Sequence, residues 1–180
     1  MHDLDAVFDA FSRQPGLAEI ATTTGLAEPL LLQSMLIFKP PRIGDEVVWH
    51  QDATFLHTEP SRVLGMWFAL DDANQENGCL WGLPGGHRRG LKARFLRNSD
   101  DSVEMLTLDD TPWPEAEFVP LEVAKGALIL LDGMLPHGSA ANRSSVSRHA
   151  YSLHVIDGTC RYLPENWLQR SPDMPLRGFN

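Results

Sequence analysis

Apolar and polar positions repeat with a helical period only at the front of the chain. Leu4, Val7, Phe8 and Phe11 keep the i, i+3, i+4, i+7 spacing of one helix face, with Asp3 placed to cap it. Pro15-Gly16 predicts a break, and Leu17–Ala21 a second short turn before Gly25. From residue 28 onward the pattern becomes strand-like. Leu30–Phe38, Val47–Ala53, Val63–Leu70, Cys79–Leu83, Phe118–Val123, Ala127–Leu131 and Arg148–Ile156 are short runs rich in β-branched, aromatic and aliphatic residues. Turn signals separate them: Lys39-Pro40-Pro41, Glu59-Pro60, Glu76-Asn77-Gly78, Pro84-Gly85-Gly86 and Asp132-Gly133. Many short strands with little interior helix predict a mainly β protein, a sandwich or jelly roll behind a short helical N-terminal segment. Asn98–Glu117 is polar, acidic and interrupted by Pro112 and Pro114, which predicts a long loop or insertion of the kind that serves as a lid or binding loop.

Composition narrows the class. With 43% apolar residues, 180 residues supply one continuous core. We therefore read 1–180 as a single domain: a lead-in over 1–27, a β core over 28–157 and a C-terminal extension over 158–180. Fifteen Lys+Arg against 24 Asp+Glu leave a net charge of −9, which argues against nucleic-acid or anionic-membrane partners, since both need basic surface. Cys79 and Cys160 are too few for a disulfide framework, so a reducing compartment is expected. The acidic start Met1-His2-Asp3 has no signal-peptide character, the longest apolar runs fall far short of a membrane span, and Gly178-Phe179-Asn180 is no address signal. A soluble cytoplasmic protein is expected.

Candidate chemistry begins in the run Val47–Ala53. Strand alternation puts Val48, His50 and Asp52 on one face, so an imidazole and a carboxylate converge on one point. Alone, a His-x-Asp pair is as readily an ordinary hydrogen-bonded couple. The second half lies far downstream, where His137 follows a proline-bearing turn and precedes Gly138. Eleven positions on, Arg148 opens a strand and shares a face with Ala150, Ser152 and His154, while Tyr151, Leu153 and Val155 face the other way to pack. A guanidinium among small side chains suits a carboxylate held through two parallel N–H bonds; the plainer alternative is a surface ion pair. Two histidines and one carboxylate leave metal positions open, as non-haem Fe(II) oxygenases require, whereas structural zinc sites are closed by four protein ligands. Together His50, Asp52, His137 and Arg148 fit a 2-oxoglutarate-dependent oxygenase.

Longer motifs carry a family resemblance. The runs Gln33–Lys39 and Trp49–Leu56, with Thr58-Glu59-Pro60, Glu76–Trp81 and Pro164–Gln169, resemble the phytanoyl-CoA dioxygenase family over nearly the whole chain. The resemblance implies a double-stranded β-helix (the cupin-like jelly roll), Fe(II) held by His50, Asp52 and His137, and conversion of 2-oxoglutarate and O2 to succinate and CO2. It assigns Arg148 to the distal carboxylate of 2-oxoglutarate, and Met35, Trp67 and Gln51 to the same pocket. Read from the residues, a Met or Trp on a strand is more often plain core, although Trp67 shares its face with Gly65 and Ala69 as a pocket wall would. The resemblance also implies a further segment ahead of the first helix, contributing helices, outer strands and a lysine at 2-oxoglutarate. The expectation for this shorter chain is exposed apolar edge and face, with poor solubility or dimerisation, and less than full activity.

The expected reaction is hydroxylation of a small molecule, an acyl-CoA or another anionic metabolite, because the carboxylate Asp52 fills the place that related halogenating enzymes leave open for chloride. The rivals are a metal-binding jelly roll without catalysis, acting as a regulatory or binding module, and a zinc or cupin-type isomerase or hydrolase, for which Arg148 has no use. His87, in Gly85-Gly86-His87-Arg88-Arg89, is a candidate for the substrate mouth, and His57 is read as an exposed strand-end residue or a substrate neighbour. Arg88, Arg89, Lys92, Arg94 and Arg97 form a basic cluster, either a solvated face or a guide for an anionic substrate.

Overall fold

The computed structural model describes residues 1–179. Two short helices, α1 (Ala6–Ser12) and α2 (Pro15–Thr23), lead into twelve strands. These are β1 (Pro29–Ile37), β2 (Val47–His50), β3 (Thr58–Glu59), β4 (Val63–Ala69), β5 (Leu80–Gly82), β6 (Ala93–Arg97), β7 (Val103–Thr107), β8 (Val119–Leu121), β9 (Leu128–Asp132), β10 (His137–Ser139), β11 (Ala150–Asp157) and β12 (Arg161–Tyr162). The order β1-β11-β4-β9 makes a four-stranded sheet and β2-β10-β5-β8 a second one. Every pairing in them is antiparallel and joins strands far apart in the chain, which is the jelly-roll arrangement.

The two central strands of the larger sheet, β4 and β11, are buried on both faces, which explains why they lack the clean alternation of a half-exposed strand. Leu64, Met66 and Phe68 of β4 join Tyr151, Leu153 and Val155 of β11 beneath Leu17 and Ala21 of α2. Phe8 and Phe11 of α1 close this layer: Phe11 meets Phe68 edge-on at 4.9 Å, and Ser12 Oγ lies 2.9 Å from the Tyr151 hydroxyl. The opposite face, through Gly65, Trp67, Ser152 and His154, looks toward the smaller sheet across a cavity. On β11 the polar side chains facing the cavity are Ser152 and His154, while Tyr151 and Asp157 bond instead to Ser12 and to the backbone N–H of Ala27.

Several boundaries differ from the pattern. Asp5, not Asp3, caps α1, accepting from the backbone N–H of Val7 and Phe8. The helix begins later, which leaves Leu4 outside it; Val7 lies within it but faces solvent, and only Phe8 and Phe11 pack. Pro15 starts α2 at its first turn, where a missing N–H costs nothing, so the expected break is a helix start. Asn98–Glu117 is no plain loop: its β7 pairs with β6 in full register from Ala93 opposite Thr107 to Arg97 opposite Val103. Val103, Met105 and Leu106 are exposed on this hairpin, so it has no buried stripe to reveal it.

Asp3 instead anchors the two ends of the chain. Its carboxylate meets Arg13 at 2.6 Å, Arg177 at 2.7 Å, His2 Nε2 at 3.1 Å and Arg170. Arg13 also donates to the carbonyls of His2 and Gly178, closing the C-terminal segment over α1. Removing one member of such a buried set leaves charge unpaired. Asp3→Asn should cost on the order of 3 kcal/mol, read as a lower urea midpoint at unchanged m-value. Burial is the main cause that pulls His2 down to about 4, against an ordinary value of 6.5. Between those values the unfolded chain binds more protons, so stability should fall as pH drops from about 6.5 toward 4. His2→Gln should flatten that slope.

Candidate metal centre

His50 is the last residue of β2 and His137 the first of β10, and the two are cross-strand partners. Their rings therefore meet, with centroids 4.3 Å apart. Each ring is fixed the same way. His50 Nδ1 lies 2.8 Å from the Val48 carbonyl and His137 Nδ1 2.9 Å from the Leu135 carbonyl. A carbonyl can only accept, so each Nδ1 carries the proton and each Nε2 presents its lone pair.

Asp52 does not sit on the strand. The chain leaves β2 at His50, and Asp52 opens a 3-10 turn over Asp52–Thr54, fixed by Ala53 N–H donating to the Gly133 carbonyl at 2.8 Å. Turn geometry, rather than alternation, brings its carboxylate back to the histidines. Oδ1 is 3.7 Å from His50 Nε2 and 3.7 Å from His137 Nε2, and one ligand atom from each of the three residues lies within 4.8 Å of the others. Burial opposes the charge on Asp52, but the imidazoles of His154, His137 and His50 outweigh it and hold the carboxyl well below its usual range. Burial, then the neighbouring His137, lowers His50, so its neutral form persists below the ordinary histidine range.

These residues fit a divalent ion. Ligand atoms about 2.0–2.2 Å from a metal and at right angles stand roughly 3 Å apart; Oδ1 lies 3.7 Å from each Nε2, so the set has to close slightly around an ion. Asp52 Oδ2 is buried with no hydrogen-bond partner, a costly state for an anion that an ion would relieve. Gly65 makes room for that oxygen, since a Cβ there would stand 2.9 Å from it.

Arg148 comes from just before β11 rather than from within it, and is 1% exposed. Its Nε donates to the Gly78 carbonyl at 2.9 Å, its guanidinium carbon sits 5.3 Å above the Trp67 ring, and Ser139 Oγ lies 3.5 Å from Nη2. Gly78 can turn its carbonyl there because its φ is +82°, and a side chain would strike the Ala140 carbonyl. Nη1 is buried without a partner. Burial lowers Arg148 to about 10, which leaves it charged at neutral pH.

A cavity of about 440 Å³ joins these groups, walled by Met35, Ile37, Val47, Phe55, Trp67 and Trp167 among others. Met35 and Trp67 line it as expected positions would. Gln51 and His87 do not. Gln51 is fully engaged as a loop tie, its amide donating to the carbonyls of Gly90 and Met134 and accepting from Lys92 N–H. His87 sits in the 3-10 turn Gly86–Arg88, away from the cavity wall. The basic cluster is largely spent on ion pairs: Arg89 with Glu117, Lys92 with Asp109, Arg97 with Asp101. His154, which strand alternation groups with Arg148 without marking it as a site residue, lines the cavity with Nε2 3.4 Å from Asp52 Oδ1.

A jelly roll holding two histidines and a carboxylate, with a buried arginine at the same cavity, belongs to the class of the mononuclear non-haem oxygenase scaffolds. The family profile for phytanoyl-CoA dioxygenase (PhyH) matches residues 2–150. The chain belongs to the phytanoyl-CoA dioxygenase family. It is 48% identical to phytanoyl-CoA dioxygenase 1 of Oryza sativa subsp. japonica and 44% identical to phytanoyl-CoA dioxygenase domain-containing protein 1 of Mus musculus, over 98% of its own length in both cases. It spans 63% and 62% of those proteins. Among solved structures, EvdO2 from Micromonospora carbonacea var. aurantiaca, in complex with 2-oxoglutarate, is 26% identical with a TM-score of 0.65, covering 90% of this chain and 69% of that one. The carbocyclase SnoK from nogalamycin biosynthesis, at 21% identity and a TM-score of 0.75 over 97% of this chain and 72% of that one, shares the fold. Among the described residues no helix is long and apolar enough to cross a membrane.

Gly65 tests the geometry directly. Gly65→Ala should push Asp52 Oδ2 from its place and weaken Co(II) binding at least ~10-fold; the added methyl also stands 3.3 Å from Leu131 Cβ, so affinity is read on protein shown by its melting curve to be folded. Unchanged cobalt affinity would show that the carboxylate does not need this notch.

Proposed function

We propose that this chain, acting as one domain, is an Fe(II)- and 2-oxoglutarate-dependent dioxygenase that hydroxylates a small molecule with a largely apolar body. The observation that carries the reading is the orphaned, ionised Asp52 carboxylate facing two imidazoles whose Nε2 lone pairs are free. His50, Asp52 and His137 hold the metal, and the two histidines need no rearrangement, since their Nδ1 protons are already committed to carbonyls. When bound, ferrous ion supplies the oxidative chemistry that turns 2-oxoglutarate and O2 into succinate and CO2 while a C–H bond of the substrate becomes C–OH.

The remaining residues bind, orient and keep water out. Arg148 offers its free Nη1 to the distal carboxylate of 2-oxoglutarate, in a slot dry enough for that ion pair to count. Trp67 backs the guanidinium, and Met35 supplies an unbranched wall on the side of β1. Trp67 Nε1 is buried without a partner, a second donor for the same diacid. Phe55, Leu56 and Trp167 also line the cavity, where an apolar substrate would displace water from the centre. Cys79 and Cys160 are both free, which supports a reducing setting such as the cytoplasm.

Anaerobic titration with Fe(II) and then 2-oxoglutarate should produce a visible metal-to-oxoglutarate charge-transfer band, followed on oxygenation by succinate. Asp52→Ala should abolish both. Arg148→Gln should keep metal binding and raise the 2-oxoglutarate concentration needed for the band about 10- to 100-fold, since charge-assisted hydrogen bonds are worth ~1.5–3 kcal/mol. A band without oxygen-dependent succinate in the presence of candidate substrates would favour a binding module over an enzyme.

A further inference from the structure

Three imidazoles, not two, surround Asp52. His154 Nε2 lies 3.4 Å from Oδ1, nearer than either His50 or His137. Yet His154 does not join the set of ligand atoms that share a 4.8 Å neighbourhood; it approaches the carboxylate from the side of the large sheet. Its position is fixed by strand register. In β11 it pairs with Gln33 of β1 on one side and Gly65 of β4 on the other. Gly65 is also the residue whose missing side chain leaves space for Oδ2. One cross-strand pair therefore touches both oxygens of one carboxylate, an imidazole at Oδ1 and an open notch at Oδ2.

We propose that His154 is the positioning residue for the metal-binding carboxylate, donating from Nε2 to Asp52 Oδ1 and, with Gly65, setting which way the carboxylate faces the ion. The proposal rests on the reading of His50, Asp52 and His137 as metal ligands. His50 and His137 have their Nδ1 protons fixed by carbonyls, but no carbonyl holds His154 Nδ1, which is buried without a partner; the carboxylate, which only accepts, therefore sets the His154 tautomer with the proton on Nε2. The contact is longer than a formed hydrogen bond, as expected of a polar centre whose groups draw together when the ion is bound. Packing leaves His154 little freedom, since the residues beside it in the strand, Leu153 and Val155, are fully buried against the helices. A carboxylate on a single-bond stem, by contrast, can rotate, and the backbone of the Asp52–Thr54 turn supplies no donor to Oδ2. The sheet thereby provides through His154 the orientation that the turn does not.

The test uses Co(II), whose d–d absorption reports ligand geometry without turnover. Wild type, His154→Gln and His154→Asn are titrated anaerobically, and the thermal midpoint of each metal-free protein is measured. Glutamine can carry an N–H to about the place of the imidazole Nε2; asparagine is equally polar but too short. The proposal expects wild type and His154→Gln to bind within about threefold of each other with matching spectra. It expects His154→Asn to bind about 10- to 100-fold more weakly with a shifted d–d band, at a midpoint like that of His154→Gln. Equal affinity and spectra for all three would overturn it, as would a glutamine variant as impaired as the asparagine one. A wild type that binds no cobalt would overturn the metal site itself, an outcome distinct from either.

Discussion

An ionised carboxylate held almost out of water governs the interior of this protein. Removing such a group from water costs several kcal/mol unless partners or an ion return the lost stabilisation. Asp52 has three imidazoles around Oδ1 and nothing on Oδ2. Much of the nearby architecture can be understood as accommodating that charge. The strand ends at His50 so that the chain can turn, Gly133 anchors the turn, and Gly65 withholds a side chain where the second oxygen lies.

The two faces of the large sheet divide the work. Leu64, Met66, Phe68, Tyr151, Leu153 and Val155 make it rigid against the helices, and a rigid sheet is what allows Trp67, Ser152 and His154 to be placed accurately on the other side. Arg148 depends on the same division. Its charge is tolerated because Gly78 and Ser139 take part of its donor capacity and Trp67 faces its plane, while one nitrogen stays free. Lys39, equally buried, is instead spent on the carbonyls of Asp45 and Ala140, fastening the loop that leads into β2.

Much of this was legible in the sequence. The long apolar runs became β1, β4 and β11, and His50, Asp52, His137 and Arg148 converge on one cavity from segments nearly a hundred residues apart. What alternation missed has physical causes. It predicted Asp52 on a strand because a 3-10 turn of three residues leaves no periodic trace. It overlooked the β6–β7 hairpin because a two-stranded ribbon exposed along β7 buries no stripe. It misplaced the first helix because Asp3, a plausible cap by type, is drawn instead to the arginines of the distant C-terminal segment. Gln51 is invisible to any local reading, since its three partners lie in other loops. His154 left a usable signal: a histidine on the same face as Arg148, within a strand buried throughout, has few reasons to be there other than the site.

X-ray absorption at the iron edge of the Fe(II)-loaded protein is the most direct examination of this account. Two imidazole scattering patterns with a light-atom shell at about 2.0–2.2 Å, reduced to one imidazole in His137→Ala, are the predicted result. A shell with no imidazole signature, or one unaltered by that substitution, would place the metal elsewhere and contradict it.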